Sequence, residues 1–432
     1  MSHVHNILCV LIYVVILCVM LLKHQHSTQC RWGAGSWILF SYIIYPIIGA
    51  FWYFNPNTPY DDHITTLTLF PFIYLSIMLF IALRPVMQFD REDIKRITPP
   101  PMQILNIFAV IFIICTLLQI PSIFEDLIHG ILSIILDNTM GTELYTKSQV
   151  YETQYDGHIS NIFCIIFNIF SPLAFILFFY YLTLEKRYNW AKIGYGICIL
   201  IKCFSSLSNG QRTEVTMSLL NILVAYLIMH PMLPKRIHRV TKRMLIILSI
   251  AVAIPFISLS LSRFGEREGG MLGSIIYYIG EAPYYFNQFA LDAGETRHGD
   301  RTCNVFKQLM GMHTYKGIFS VRDAYPSMKM NDSIFSTFVG DFVLDFGPWI
   351  TAILFILFSK VFTLLTRSTT ENELPFHRMI LLYFAMTVCM QGGFYLFDYS
   401  FEKNLQIIAV FIFYLIFAFF YNNQSQKGGL HE

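Results

Sequence analysis

Apolar runs of roughly 18 to 22 residues recur from one end of the chain to the other, each the length needed to cross about 30 Å of hydrocarbon. They lie near residues 4–22, 34–54, 64–83, 102–120, 160–183, 190–207, 213–230, 244–262, 340–366, 378–397 and 404–421. The pattern predicts an all-α polytopic membrane protein with about eleven transmembrane helices. Composition agrees, because 55% of residues are hydrophobic and only 13% charged, too little polar surface to cover a soluble globule. No internal repeat or low-complexity linker divides the chain, which reads as a single integral membrane domain over 1–432.

Orientation follows from Lys and Arg in the short loops, since cationic loops resist translocation. Lys23 and Arg31, Arg84, Arg91, Lys95 and Arg96, Lys186, Arg187 and Lys192, Lys235, Arg236, Arg239, Lys242 and Arg243, and Arg367 with Arg378 all fall in odd-numbered loops. The short even-numbered loops hold only Lys147, Arg212 and Lys403. This bias predicts cytoplasmic odd loops, an N-terminus outside and a C-terminus in the cytoplasm. The first apolar run follows no Lys/Arg-bearing leader and precedes no small-residue cleavage site, so a retained helix is expected. Two embellishments fall outside: 121–159, whose apolar Ile128 to Leu136 is too short to span and suits the interface, and the large loop 263–334 with short amphipathic helices. The nine cysteines lie mostly within apolar runs and form no disulfide or metal framework, as packing residues would.

Charge inside such a bundle is costly, so its location points to function. Arg212 ends the hairpin Ser205 to Arg212 between two apolar runs, and Arg263 and Arg267 follow the next apolar run but one. Guanidinium groups bind phosphate oxygens in forked pairs, most strongly beside low-dielectric walls, so these three suit a lipid diphosphate. Ordinary alternatives are pairing of Arg212 with Glu214, and of Arg263 and Arg267 with Glu266, Glu268 or lipid phosphates. Lys202, inside the run leading to Arg212, either lines a cavity, where it joins these arginines as a diphosphate-binding cation, or snorkels. Asp341 and Asp345 are four residues apart, so a helix stacks them on one face where they orient an arginine or accept a proton from an attacking hydroxyl. His298, His313 and His129 are the external imidazoles, and His313 is the second choice as base. Tyr277, Tyr278, Tyr284 and Tyr285 form either an interfacial belt or a platform on which sugar rings stack. DxD, HExxH, Walker and GxSxG signatures are absent, so no metal, cofactor, nucleotide or nucleic-acid partner is expected.

Ser208-Asn209-Gly210-Gln211-Arg212 opening a helix, Tyr277-Tyr278 with Ala282-Pro283, Gly299 and Thr302 before Val305-Phe306, and Phe335-Ser336-Thr337 leading to Asp345-Phe346-Gly347 come in an order that resembles Wzy-type polymerases. These are the oligosaccharide repeat unit polymerases that build bacterial O-antigen and capsular polysaccharide. The resemblance covers roughly residues 200–365. It implies a glycosyltransferase in the bacterial cytoplasmic (inner) membrane acting on undecaprenyl-diphosphate-linked oligosaccharides at the outer leaflet, with a flippase and a chain-length regulator of the same pathway as partners beside membrane lipids. It further implies Arg212, Arg263 and Arg267 as diphosphate clamps and Asp345 or Asp341 as orienting or basic groups. The count of about eleven helices departs from the even number expected of the family. An O-antigen ligase, which shares donor and topology, and a flippase for lipid-linked sugars are the competing readings.

Overall fold

A computed structural model of the protein describes residues 2–54, 66–121, 162–184, 187–208, 212–243, 246, 250, 257, 270–315, 317–330, 334–368, 372–395 and 401–428. It is almost entirely helical, with a helix at every expected position except 244–262, which lies almost wholly outside the described residues. Among the described residues, six helices are long and apolar enough to cross a membrane: His3–Ser27, Ala34–Tyr53, Ile162–Thr183, Val215–Met232, Thr337–Leu365 and Lys403–Asn423. A seventh forms if Leu69–Ala82 and Arg84–Glu92, bent by 45°, make one span. Pro85 sits in the first turn of the second piece, and it has no N–H for the carbonyl of Ile81, which breaks the helix there. The segment 121–159 lies outside the described residues after its first position.

The chain divides into two compact units, the first made of Met1–Asp93, Arg267–Arg367 and Phe384–Asn404. Within it the tyrosine-bearing stretch, expected in a large loop with short amphipathic helices, forms one continuous 20-residue helix, Gly270–Phe289, laid along Ala34–Tyr53. Glycines permit that approach, since a Cβ on Gly280 would sit 2.3 Å from the Cα of Gly49. Trp52 fills the space left by Gly273, and the Tyr284 hydroxyl donates to the Pro46 carbonyl at 2.8 Å. Side-chain amides then seal the backbone ahead of Leu69: Asn287 accepts from Thr68 N at 2.9 Å and donates to Thr68 O at 2.7 Å, while Asn6 accepts from Leu67 N at 2.9 Å. At the opposite end of Ala34–Tyr53 no local side chain caps the helix. Asp90 does so from a distance, taking Ala34 N at 2.9 Å and Gly35 N at 2.8 Å while lying 2.9 Å from His24 Nε2.

Gly280→Val is expected to lower stability by roughly 1–3 kcal/mol or more, because the new side chain overlaps backbone that cannot rotate away. Thermal unfolding of the detergent-purified variant measures this, and an unchanged midpoint would mean that the two helices are not held this close.

The second unit comprises Ile94–Glu266, Ser368–Tyr383 and Leu405–Glu432. Its helices Met102–Leu117, Ile162–Thr183, Asn189–Ser208 and Arg212–Met229 pack through aromatic rings, with Phe112 stacked on Phe167 and Tyr195. Phe108 meets Phe413 edge-on, and Gln406 Nε2 donates to Asn168 O at 2.9 Å. Two three-residue strands, Arg96–Thr98 and Glu373–Pro375, pair in parallel with Ile97 opposite Leu374. This small sheet departs from the all-α expectation; three residues are too few for a periodic signal.

Candidate functional site

The first unit carries a cluster of buried charges where residues 292–330 meet the start of Thr337–Leu365. That helix breaks at Gly347, whose φ of 76° is left-handed, and continues from Pro348. Without an N–H, Pro348 leaves the carbonyl of Leu344 short of its helical partner. The backbone N–H of Arg297 takes that place at 2.8 Å. From the same residue, Nε donates to Asp345 Oδ1 at 2.6 Å and Nη2 to the Asp341 carbonyl at 3.1 Å, with Asp341 Oδ1 at 3.8 Å. Asp345 Oδ2 accepts both from Thr302 N at 2.8 Å and from Thr302 Oγ1 at 2.7 Å. The side chains of Arg297 and Asp345 are fully buried, so their charges persist only because each is paired and hydrogen-bonded.

A second anchor follows three residues later, where Asp300 pairs with Lys307 and accepts from the Tyr325 hydroxyl. Tyr325 also lies within reach of the Arg297 carbonyl, at 3.1 Å. Burial, and then the neighbouring Asp300 carboxylate, push the Tyr325 phenol up, so it stays a neutral donor. Between the two anchors stand His298, with φ 51°, and Gly299, with φ 81°. Gly299 adopts this conformation freely, and a Cβ there would press on the Phe346 ring at 3.1 Å. Histidine does not adopt it freely; a residue other than glycine in that region costs free energy and persists where its surroundings over-determine it. His298 is exposed, with Nδ1 3.4 Å from Thr296 Oγ1 and its ring 6.2 Å from that of Tyr325. The arrangement presents an exposed imidazole on a backbone held between one fully buried and one partly buried ion pair.

The structure brings Asp341 and Asp345 together on one helical face as expected, against Arg297. Both oxygens of Asp345 are engaged, Oδ1 by Arg297 and Oδ2 by Thr302. His313 is exposed, with its ring 4.8 Å from Tyr315, which in turn lies 6.2 Å from Tyr325. Tyr277 and Tyr278 are half-buried, the first beside Trp52 and the second beside Phe335. Tyr284 and Tyr285 offer no open face for a sugar: Tyr284 is fully buried on Tyr53, and Tyr285 packs with Ala293, Met330 and Leu344. Both are interior packing residues because they lie on the sides of the 270–289 helix turned into the unit. Lys202 is half-buried within Asn189–Ser208. Arg212 opens the helix Arg212–Met229, while its side chain, the hairpin tip 209–211, Arg263, Arg267 and His129 lie outside the described residues.

Arg297, Asp300, Lys307 and Tyr325 escaped the sequence reading. A signal was present in Arg297-His298-Gly299-Asp300-Arg301, a dense run of charge around a glycine in a chain with few charges. Compared with family models, curated proteins and solved structures, the chain matches none.

Proposed function

We propose that this chain is a glycosyltransferase of the bacterial cytoplasmic membrane that joins undecaprenyl-diphosphate-linked oligosaccharide repeat units into O-antigen or capsular polysaccharide. The observation that carries the reading is His298, an exposed imidazole set in a costly backbone conformation between a fully buried and a partly buried ion pair. In this reading residues 263–334 lie over the outer leaflet, within a bundle of about eleven spans whose cationic loops face the cytoplasm. A hydroxyl of the acceptor sugar attacks the anomeric carbon of the donor, and its proton passes to the His298 imidazole. The bond from that carbon to the diphosphate oxygen breaks, and the lipid diphosphate leaves with the electron pair. Its charge is met by guanidinium groups, the role that the sequence offers to Arg212, Arg263 and Arg267. Asp345 and Asp341 act through Arg297, holding the segment that presents the base. Diphosphate is a good leaving group once its charge is met, so the sites required are cations, a base and an entry from lipid.

Purified protein incubated with lipid-linked repeat units is expected to yield a ladder of lengthened products on a gel. Movement of substrate between leaflets without lengthening would make the chain a flippase. In the same assay His298→Gln is expected to lower turnover by about 10²–10⁴-fold with little change in thermal stability, the range typical of general base removal. Loss of activity in His313→Gln with full activity in His298→Gln would transfer the role to His313.

A further inference from the structure

Beyond the end of the span Val215–Met232, Pro234 starts a helical segment over 235–243 that carries Lys235, Arg236, Arg239, Lys242 and Arg243. All five cations are exposed, and none is ion-paired among the described residues. The sequence supplies no acid nearby, since no Asp or Glu occurs between Glu214 and Glu266. Successive helical residues turn by about 100°, which places Lys242, Lys235, Arg239, Arg243 and Arg236, in that order, within an arc of about 120°. Thr241, on the opposite side of the helix, is 6% exposed and faces the protein.

The stripe is also held in orientation. The Tyr226 hydroxyl and His238 Nδ1 are 3.1 Å apart, and His238 meets the ring of His230 at 4.8 Å, so the segment is pinned to the end of the span it follows. Val240, 54% exposed, borders the arc on one edge and gives the face an apolar margin. Five like charges this close repel one another, and a face kept in that state favours a partner of opposite sign. The first of them lies three residues past the end of the span, and cations that closely follow a span are drawn to anionic headgroups.

We infer that the 235–243 segment is a docking surface for anionic phospholipid headgroups, its cationic arc resting on the membrane and its opposite side on the protein. Glutamine in place of all five cations removes the charge, and lysine in place of the three arginines keeps it. Full-length protein, purified in detergent and equilibrated with equal phosphatidylglycerol and phosphatidylcholine, is examined by native mass spectrometry for retained lipid. The unaltered chain is expected to prefer phosphatidylglycerol, with each charge removed lowering that preference by up to about fivefold at low salt. The lysine version should keep the preference and 0.5 M salt, an experimental choice, should abolish it.

An unchanged preference in the glutamine variant would overturn the inference, as would its loss in the lysine version. Should the five-site variant fail to fold, Arg239→Gln with Arg243→Gln supplies the same comparison with two charges removed. Salt-sensitive binding of polyglutamate with no discrimination between the two lipids would assign the face to an acidic protein and equally overturn it.

Discussion

Arg212→Ala is expected to abolish long-chain product, with single repeat units accumulating on their lipid carrier and turnover of the purified protein falling by about 10²–10³-fold. The size of the effect follows from where charge develops. As the glycosyl bond breaks, negative charge grows on the diphosphate, and a guanidinium at a low-dielectric wall stabilises that charge more than it stabilises the ground state. Arg212→Lys should restore little, because an ammonium cannot offer the planar fork that two phosphate oxygens require. Gel sizing of polysaccharide from cells carrying either variant, at matched protein level, reads the outcome. Normal chain length in the alanine variant would remove Arg212 from the reaction.

Asp345→Ala is expected to destabilise the first unit by about 3–5 kcal/mol, since it takes from the fully buried Arg297 the nearer of its two carboxylates. The loss extends beyond one ion pair: Thr302 N and Thr302 Oγ1 lose their acceptor as well. Asp345→Asn should cost less, because a neutral oxygen still accepts hydrogen bonds. Pairing Arg297→Met with Asp345→Leu removes both charges together and should be less damaging than Asp345→Ala, though the two Thr302 donors stay unsatisfied and prevent full recovery. Thermal unfolding with limited proteolysis of residues 292–330 measures these differences. A double variant no more stable than either single change would mean that the buried charges are not coupled.

Helices were legible because a bilayer demands length and apolarity together, and both are one-dimensional properties of the chain. The stacking of Asp341 with Asp345 was legible for a similar reason, a spacing of four within one helix. Their partner was not, for Arg297 stands 48 residues from Asp345 and no local pattern links the two. The 270–289 stretch misled in another way. Pro283 and Glu281 look like interruptions of a helix, yet Glu281 is buried and accepts from Phe335 N at 3.4 Å, and Pro283 is accommodated inside the helix. Tyrosines on such a helix read as a surface belt from composition, whereas their burial depends on Gly49 and Gly280 letting two backbones meet.

The bond from Arg297 N to Leu344 O has a consequence for how the unit assembles. A proline withdraws a donor from a helix, and a residue far upstream returns it, so neither partner is satisfied before the other arrives. Bend and cap must therefore form cooperatively. Until Arg297 docks, the carbonyl of Leu344 has no partner from its own helix, and the N–H of Arg297 waits for it in turn.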